Sequence, residues 1–147
     1  MKTIHCQSLQ QLDIVAQEII SYCGEEKIWV FKGQMGAGKT TLIRAIAKRI
    51  GIVDPVSSPT FSIVNEYRND KGKIFYHFDF YRIEESEEVL EIGIDEYFYS
   101  GHNCWLEWAE RIPEYVPENF ILISIKAEED ESRTIILERV INGEKYG

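Results

Sequence analysis

Gly33-Gln-Met-Gly-Ala-Gly-Lys39-Thr40 sets three glycines, a lysine and a hydroxyl at the spacing that cradles a phosphate chain. A glycine-rich turn running into a helix N-terminus aims backbone N–H groups and the positive end of the helix dipole at an anion. Gly33, Gly36 and Gly38 let the main chain approach phosphates in conformations that a Cβ resists. Lys39 can reach the β- and γ-phosphates and the Thr40 hydroxyl can ligate Mg²⁺. Gly36, Ala37, Gly38, Lys39, Thr40 and Thr41 form the expected nucleotide-binding set, a complete Walker A motif. ATP is favoured over GTP because the chain has no Asn-Lys-x-Asp guanine-reading motif.

Three further segments offer groups to complete such a site. Ser57-Ser-Pro-Thr60 lies where a γ-phosphate-sensing segment would follow the helix, and Pro59 keeps Ser58 out of helical conformation. A plain polar turn accounts for these hydroxyls equally well. In His77-Phe-Asp79-Phe-Tyr81, strand alternation puts His77, Asp79 and Tyr81 on one face. His77 reads first as structural, hydrogen-bonded to Asp79. A carboxylate on a partly apolar strand is harder to accommodate, so Asp79 reads as functional. Glu107 ends the apolar run Asn103-Cys-Trp-Leu-Glu107-Trp108, the place of a Walker B acid that meets Mg²⁺ directly or through water. Trp105 and Trp108 are expected on the opposite strand face, one in the core and Trp108 near the mouth of the site. Arg44, Arg68, Arg82, Arg111 and Arg133 are available cations that spacing does not rank.

The surrounding pattern supplies the elements that must hold these groups. Lys27–Lys32 reads as a short buried strand before the turn, and Thr41–Ile50 as the helix after it, ended by Gly51. Upstream, Ser8–Tyr22 has helical apolar spacing, capping-box spacing at Ser8 and Gln11, and Gly24 to close it. Phe61–Tyr67 and Lys73–Asp79 flank the turn-forming Asn69-Asp-Lys-Gly72, an antiparallel hairpin. Glu84–Glu91 is expected to be an acidic helix stopped by Gly93, with a solvated face as its ordinary use. Phe120–Lys126 and Arg133–Val140 read as a closing hairpin. The expected fold is α/β: a P-loop NTPase-type mixed sheet flanked by helices, with antiparallel hairpin extensions.

With 147 residues, 44% of them hydrophobic, residues 1–147 fit one domain with a real core. Sixteen basic against 25 acidic side chains leave a net charge of −9, which disfavours extensive direct nucleic-acid binding. Cys6, Cys23 and Cys104 are odd in number and widely spaced, which suits free thiols in a reducing compartment. No signal pattern or membrane-length apolar run is seen, so a cytoplasmic location is expected.

Taken in order, Gly33–Thr41, Ser58–Phe61, Tyr76–Arg82, Glu91–Tyr97 and Glu107–Trp108 resemble the motif series of the TsaE (formerly YjeE) family. The resemblance covers most of the chain from Ile28 to Trp108. It implies a small ATPase of bacterial tRNA threonylcarbamoyladenosine biosynthesis. Such a protein does not make the modification but supports the TsaB–TsaD protein complex that does, with ATP hydrolysis resetting that complex; tRNA is met only indirectly. By resemblance, Lys39 contacts phosphates, Thr40 and Glu107 ligate Mg²⁺, and Ser58–Thr60 with Asp79 serve as switch and polar-site residues. Ser8 and Arg133 are the counterparts of residues closing the adenine site. The chain departs from many members at Gln34-Met35, where Asp-Leu is common and little consequence is expected, and at Ala109-Glu110-Arg111. A small-molecule P-loop kinase is the alternative, needing an acceptor pocket and usually an arginine-rich lid, for which the chain is short. A nucleotide-gated binding module without enzymatic purpose is a third.

Overall fold

A computed structural model describes residues 1–34 and 36–146. In chain order the elements are β1 (Lys2–Cys6), α1 (Leu12–Cys23), β2 (Ile28–Lys32), α2 (Lys39–Ile50), β3 (Val64–Arg68), β4 (Ile74–Asp79), α3 (Ile94–Phe98), β5 (Asn103–Glu107), β6 (Phe120–Ala127), β7 (Arg133–Ile141) and β8 (Glu144–Tyr146). One sheet runs β1-β7-β6-β2-β5-β4-β3, with β8 also on β7. Its centre is parallel, β2 pairing with both β5 and β6, and β4 with β5. The flanks are antiparallel hairpins, β3 on β4 and β6 on β7.

The parallel centre follows from composition. Ile28–Phe31 is buried throughout, and so is all of Asn103–Glu107, because both faces of these strands are covered. On one face α1 and α2 pack over Trp29, Phe31, Phe75, Trp105 and Ile123. Leu42, Ile43 and Ile46 of α2 are wholly buried there. The other face holds Val30, Phe78, Leu106, Phe80, Ile94, Phe98 and Ile112. The mixed sheet expected from sequence is therefore the one observed.

Several local expectations are corrected. β1 lacked a signal of its own: only two of its five residues are buried, and β7 gives it a place. Ser8 makes no side-chain cap; Gln11 instead accepts from the Gln7 N–H at 2.7 Å, and a 3₁₀ turn over Leu9–Gln11 precedes α1. The acidic segment is not an α-helix. It forms a 3₁₀ turn over Ser86–Leu90 with a Glu85/Glu88 capping box, and Gly93 at φ 70° resets the chain before α3. Its neighbouring carboxylates repel, and Val89 is its only buried anchor. The first hairpin strand starts at Val64, not Phe61, because the Ile63 N–H bonds Pro59 O at 2.7 Å and Ile63 takes φ 71°.

All three cysteines are free and buried, and burial pushes the Cys104 thiol up to about 12. Among the described residues no helix is long and apolar enough to cross a membrane.

Candidate functional site

The three parallel strands β2, β4 and β5 finish at one edge of the sheet, and their last residues lead into the chemistry. β2 runs into the glycine-rich loop, while Asp79 and Glu107 are register partners at the ends of β4 and β5. This is the carboxyl-end edge where open α/β sheets bind ligands.

Loop geometry separates the roles of its glycines. Gly36 and Gly38 adopt φ of 80° and 103°, conformations that side chains resist. Gly33 does not; a Cβ there would meet Ile125 O at 2.7 Å, so its small size lets the loop lie against β6. Gly38 caps α2, and the Leu42 N–H closes the first turn on Gly38 O at 2.9 Å. Of the Gln34-Met35 departure, Met35 lies outside the described residues; Gln34 lines a cleft of about 560 Å³ on the loop's outer side.

Lys39 is 7% exposed, and its Nζ sits 3.8 Å from the centroid of the Trp108 ring. Burial pulls its ammonium pKa down, against the opposing pull of the Glu107, Glu110 and Asp79 carboxylates. Trp108 leaves β5 at φ 59° and packs tilted against Tyr81 at 4.9 Å, while the Arg111 guanidinium lies 5.4 Å from the Tyr81 ring. Trp105, expected opposite Glu107, shares its strand face and is core, stacked on Trp29. Trp108 alone is at the site, as expected. Tyr81 lies beyond the end of β4, 40% exposed, so it does not continue the His77/Asp79 face.

Asp79 and Glu107 are buried at 5% and 3% exposure. Their partners explain how two such carboxylates are tolerated. Ser58 Oγ donates to Asp79 Oδ2 at 2.5 Å and lies 3.4 Å from Glu107 Oε2. Thr60 Oγ1 reaches Asp79 Oδ2 at 3.3 Å, and the Tyr81 N–H donates to Oδ1 at 2.9 Å. His77 is not bonded to Asp79, contrary to the sequence reading. Its Nε2 lies 2.7 Å from Glu107 Oε2 and its Nδ1 is 3.0 Å from the Tyr67 hydroxyl. The Ser58 and Thr60 hydroxyls thus point to the carboxylates rather than to local backbone.

On the other flank of the loop, a pocket of about 330 Å³ brings Ser8, Leu12, Gly38, Thr41 and Arg133 together. Arg133 is fixed by Nε donating to Ala37 O and Nη1 donating to Glu131 O, both at 2.8 Å. A flat apolar group beside a phosphate cradle fits such a space.

Among the described residues no three His, Cys, Asp or Glu side chains group into a metal-holding set. The Asp79 and Glu107 carboxylates and the hydroxyls beside them are oxygen donors of the kind that suits a hard cation shared with phosphate oxygens.

Residues 6–135 match the family model described as "Threonylcarbamoyl adenosine biosynthesis protein TsaE". The chain belongs to the TsaE family. Curated relatives named tRNA threonylcarbamoyladenosine biosynthesis protein TsaE include one from Haemophilus influenzae, 40% identical over 116 residues, covering 78% of this chain and 73% of that protein. Another, from Bacillus subtilis, is 36% identical over 133 residues, covering 90% and 82%. The crystal structure of YdiB from Bacillus subtilis is similar at TM-score 0.77 and 30% identity, over 97% of this chain and 88% of that one. The fold is that of a P-loop NTPase. In this TsaE-family chain the candidates Lys39, Thr40, Ser58, Thr60, Asp79 and Glu107 come together at one sheet edge. Ser8, Thr41 and Arg133 gather next to them; Tyr67 is a partner the sequence reading missed, and His77, read as structural, is bonded to Glu107 rather than to Asp79.

Proposed function

We propose that this chain binds and hydrolyses ATP with Mg²⁺ and, as a TsaE-family member, supports the TsaB–TsaD-type complex in tRNA N6-threonylcarbamoyladenosine modification. The observation that supports the reading is Lys39, at the start of α2, facing the Asp79 and Glu107 carboxylates that Ser58 bridges. The α2 N-terminus and Lys39 would hold the phosphate chain. The pocket of Ser8, Thr41 and Arg133 would take the adenine. Thr40 and Glu107 would hold Mg²⁺, which when bound neutralises charge building on the phosphates. Asp79 holds Ser58 and Thr60, and through them the segment placed to sense a γ-phosphate. Burial of these groups excludes water and strengthens every charge interaction among them.

The acidic charge of the chain favours a protein partner over direct tRNA capture. Threonylcarbamoyladenosine synthesis on tRNA over many turnovers, with TsaB- and TsaD-type partners, tests the reading. The chain and hydrolysable ATP are expected to be required, and Lys39→Ala to abolish the effect. Synthesis indifferent to the chain would overturn it, and a phosphoacceptor screen with ATP would then test the kinase alternative.

A further inference from the structure

Tyr67, His77 and Glu107 come from three adjacent strands, β3, β4 and β5, yet form one line of hydrogen bonds ending at the segment that carries Ser58 and Thr60. The Ser57 N–H points to the Tyr67 oxygen at 3.4 Å, and the hydroxyl lies 3.0 Å from His77 Nδ1. His77 Nε2 lies 2.7 Å from Glu107 Oε2, and Ser58 Oγ, 3.4 Å from that same oxygen, closes the ring. His77 is wholly buried and Tyr67 is 3% exposed.

A neutral imidazole has one donor and one acceptor nitrogen, so the tautomer that donates from Nε2 to Glu107 is the one whose Nδ1 accepts from Tyr67. The Tyr67 hydroxyl has a single proton and a second acceptor at 3.0 Å, Ser57 O, which Asn65 Nδ2 also serves at 3.1 Å. Strain lies just after the segment: Ile63 is β-branched at φ 71°, and its carbonyl accepts the Asp79 N–H at 2.9 Å.

We propose that Tyr67 and His77 are positioning residues that lock the Glu107 carboxylate to the 57–60 segment, so that segment and carboxylate change place as one unit. The proposal rests on the ATPase reading above for its catalytic consequence, but the mechanical link stands without it. Among the described residues neither has a hydrogen bond to the phosphate loop; His77 bonds Glu107 directly, and Tyr67 reaches it through His77.

Two readouts test it. In steady-state ATP hydrolysis, Tyr67→Phe and His77→Phe are expected to lower kcat about tenfold with KM within about twofold, and His77→Gln, which keeps an amide donor toward Glu107, to recover most of the loss. In a Glu107→Gln background Tyr67→Phe should add less than about twofold. Independently of activity, amide hydrogen exchange at residues 57–60 should speed up in His77→Phe, although His77 does not itself touch that segment. Unchanged exchange there in a folded variant, or a Tyr67→Phe loss of equal size with and without Glu107, would overturn the proposal. Where His77→Phe does not fold, Tyr67→Phe and its cycle with Glu107→Gln decide. Were the wild-type chain to hydrolyse no ATP, the ATPase reading would fail, and exchange at 57–60 would still decide the link.

Discussion

The Lys39 ammonium sits 3.8 Å over the Trp108 indole, so the side chain expected to grip phosphates is held by an aromatic face instead. Trp108 is itself kept in place by a left-handed backbone and by Tyr81 against its ring. On the ATPase reading, a bound triphosphate would draw Lys39 away from that face.

ATP or a non-hydrolysable analogue is therefore expected to change tryptophan fluorescence, with the change arising from Trp108. Trp29 and Trp105 are core and lie elsewhere. Trp108→Phe should abolish the signal while binding persists by calorimetry. Lys39→Ala should weaken ATP binding by about 10- to 100-fold, the loss of a charge-assisted contact of about 1.5–3 kcal/mol. A full signal in Trp108→Phe would show that Lys39 release is not what the fluorescence reports.

The same burial sets a pH dependence. Desolvation lowers the Lys39 pKa below its ordinary value near 10.5, with Glu107, Glu110 and Asp79 opposing. Between the folded and unfolded values the unfolded chain binds more protons, so Lys39 contributes stability that rises with pH across that window. Phosphate binding needs the charged form and runs the other way. ATP affinity should fall on the alkaline side before pH 10.5, and Lys39→Arg should hold its weaker affinity to higher pH. Binding titrations across pH 7 to 10.5 check this, and identical profiles for lysine and arginine would count against a lowered Lys39.

Much of the site was legible because its chemistry is local in sequence. The glycine loop, its lysine and its threonine adjoin one another, and the strand before and helix after carry plain hydrophobic patterns. Asp79 and Glu107 were legible as acids ending apolar strands. Their pairing was not, nor was the His77–Glu107 bond, because both depend on the parallel register of β4 on β5, such as Asp79 against Glu107, set by packing rather than by any turn. Tyr67 lay in an expected hairpin strand, but nothing local marked its hydroxyl as the partner of His77, two residues from its register partner Phe75. β1 was missed because a short half-buried strand on a sheet edge has little pattern to show.

The bridged carboxylates separate binding from turnover. Glu107→Gln keeps size and removes charge, so ATP binding should stay within a few-fold while kcat falls by about 10- to 100-fold. Ser58→Ala removes the hydroxyl bonded to Asp79 and near Glu107, leaving two buried carboxylates less well satisfied. It should cost about 1–3 kcal/mol of stability as well as turnover. Denaturant unfolding beside steady-state hydrolysis distinguishes the two variants; equal stability losses would place Glu107 in a structural role.

Gly33 offers a test of the loop's seat. A Cβ at this position would lie 2.7 Å from Ile125 O and 2.8 Å from Ile125 Cγ2, and the first of these is backbone that cannot rotate aside. Gly33→Ala must push the phosphate loop and β6 apart, a strain of about 1–3 kcal/mol. The displacement falls between the cleft and the Arg133 pocket, since Ile125 lines both. ATP affinity should drop together with the melting temperature. Ile125→Ala removes the clashing methyl but not the carbonyl, so combining it with Gly33→Ala should restore little. Strong recovery of ATP binding in the double variant would show that the side chain, not the β6 backbone, sets the approach of the loop.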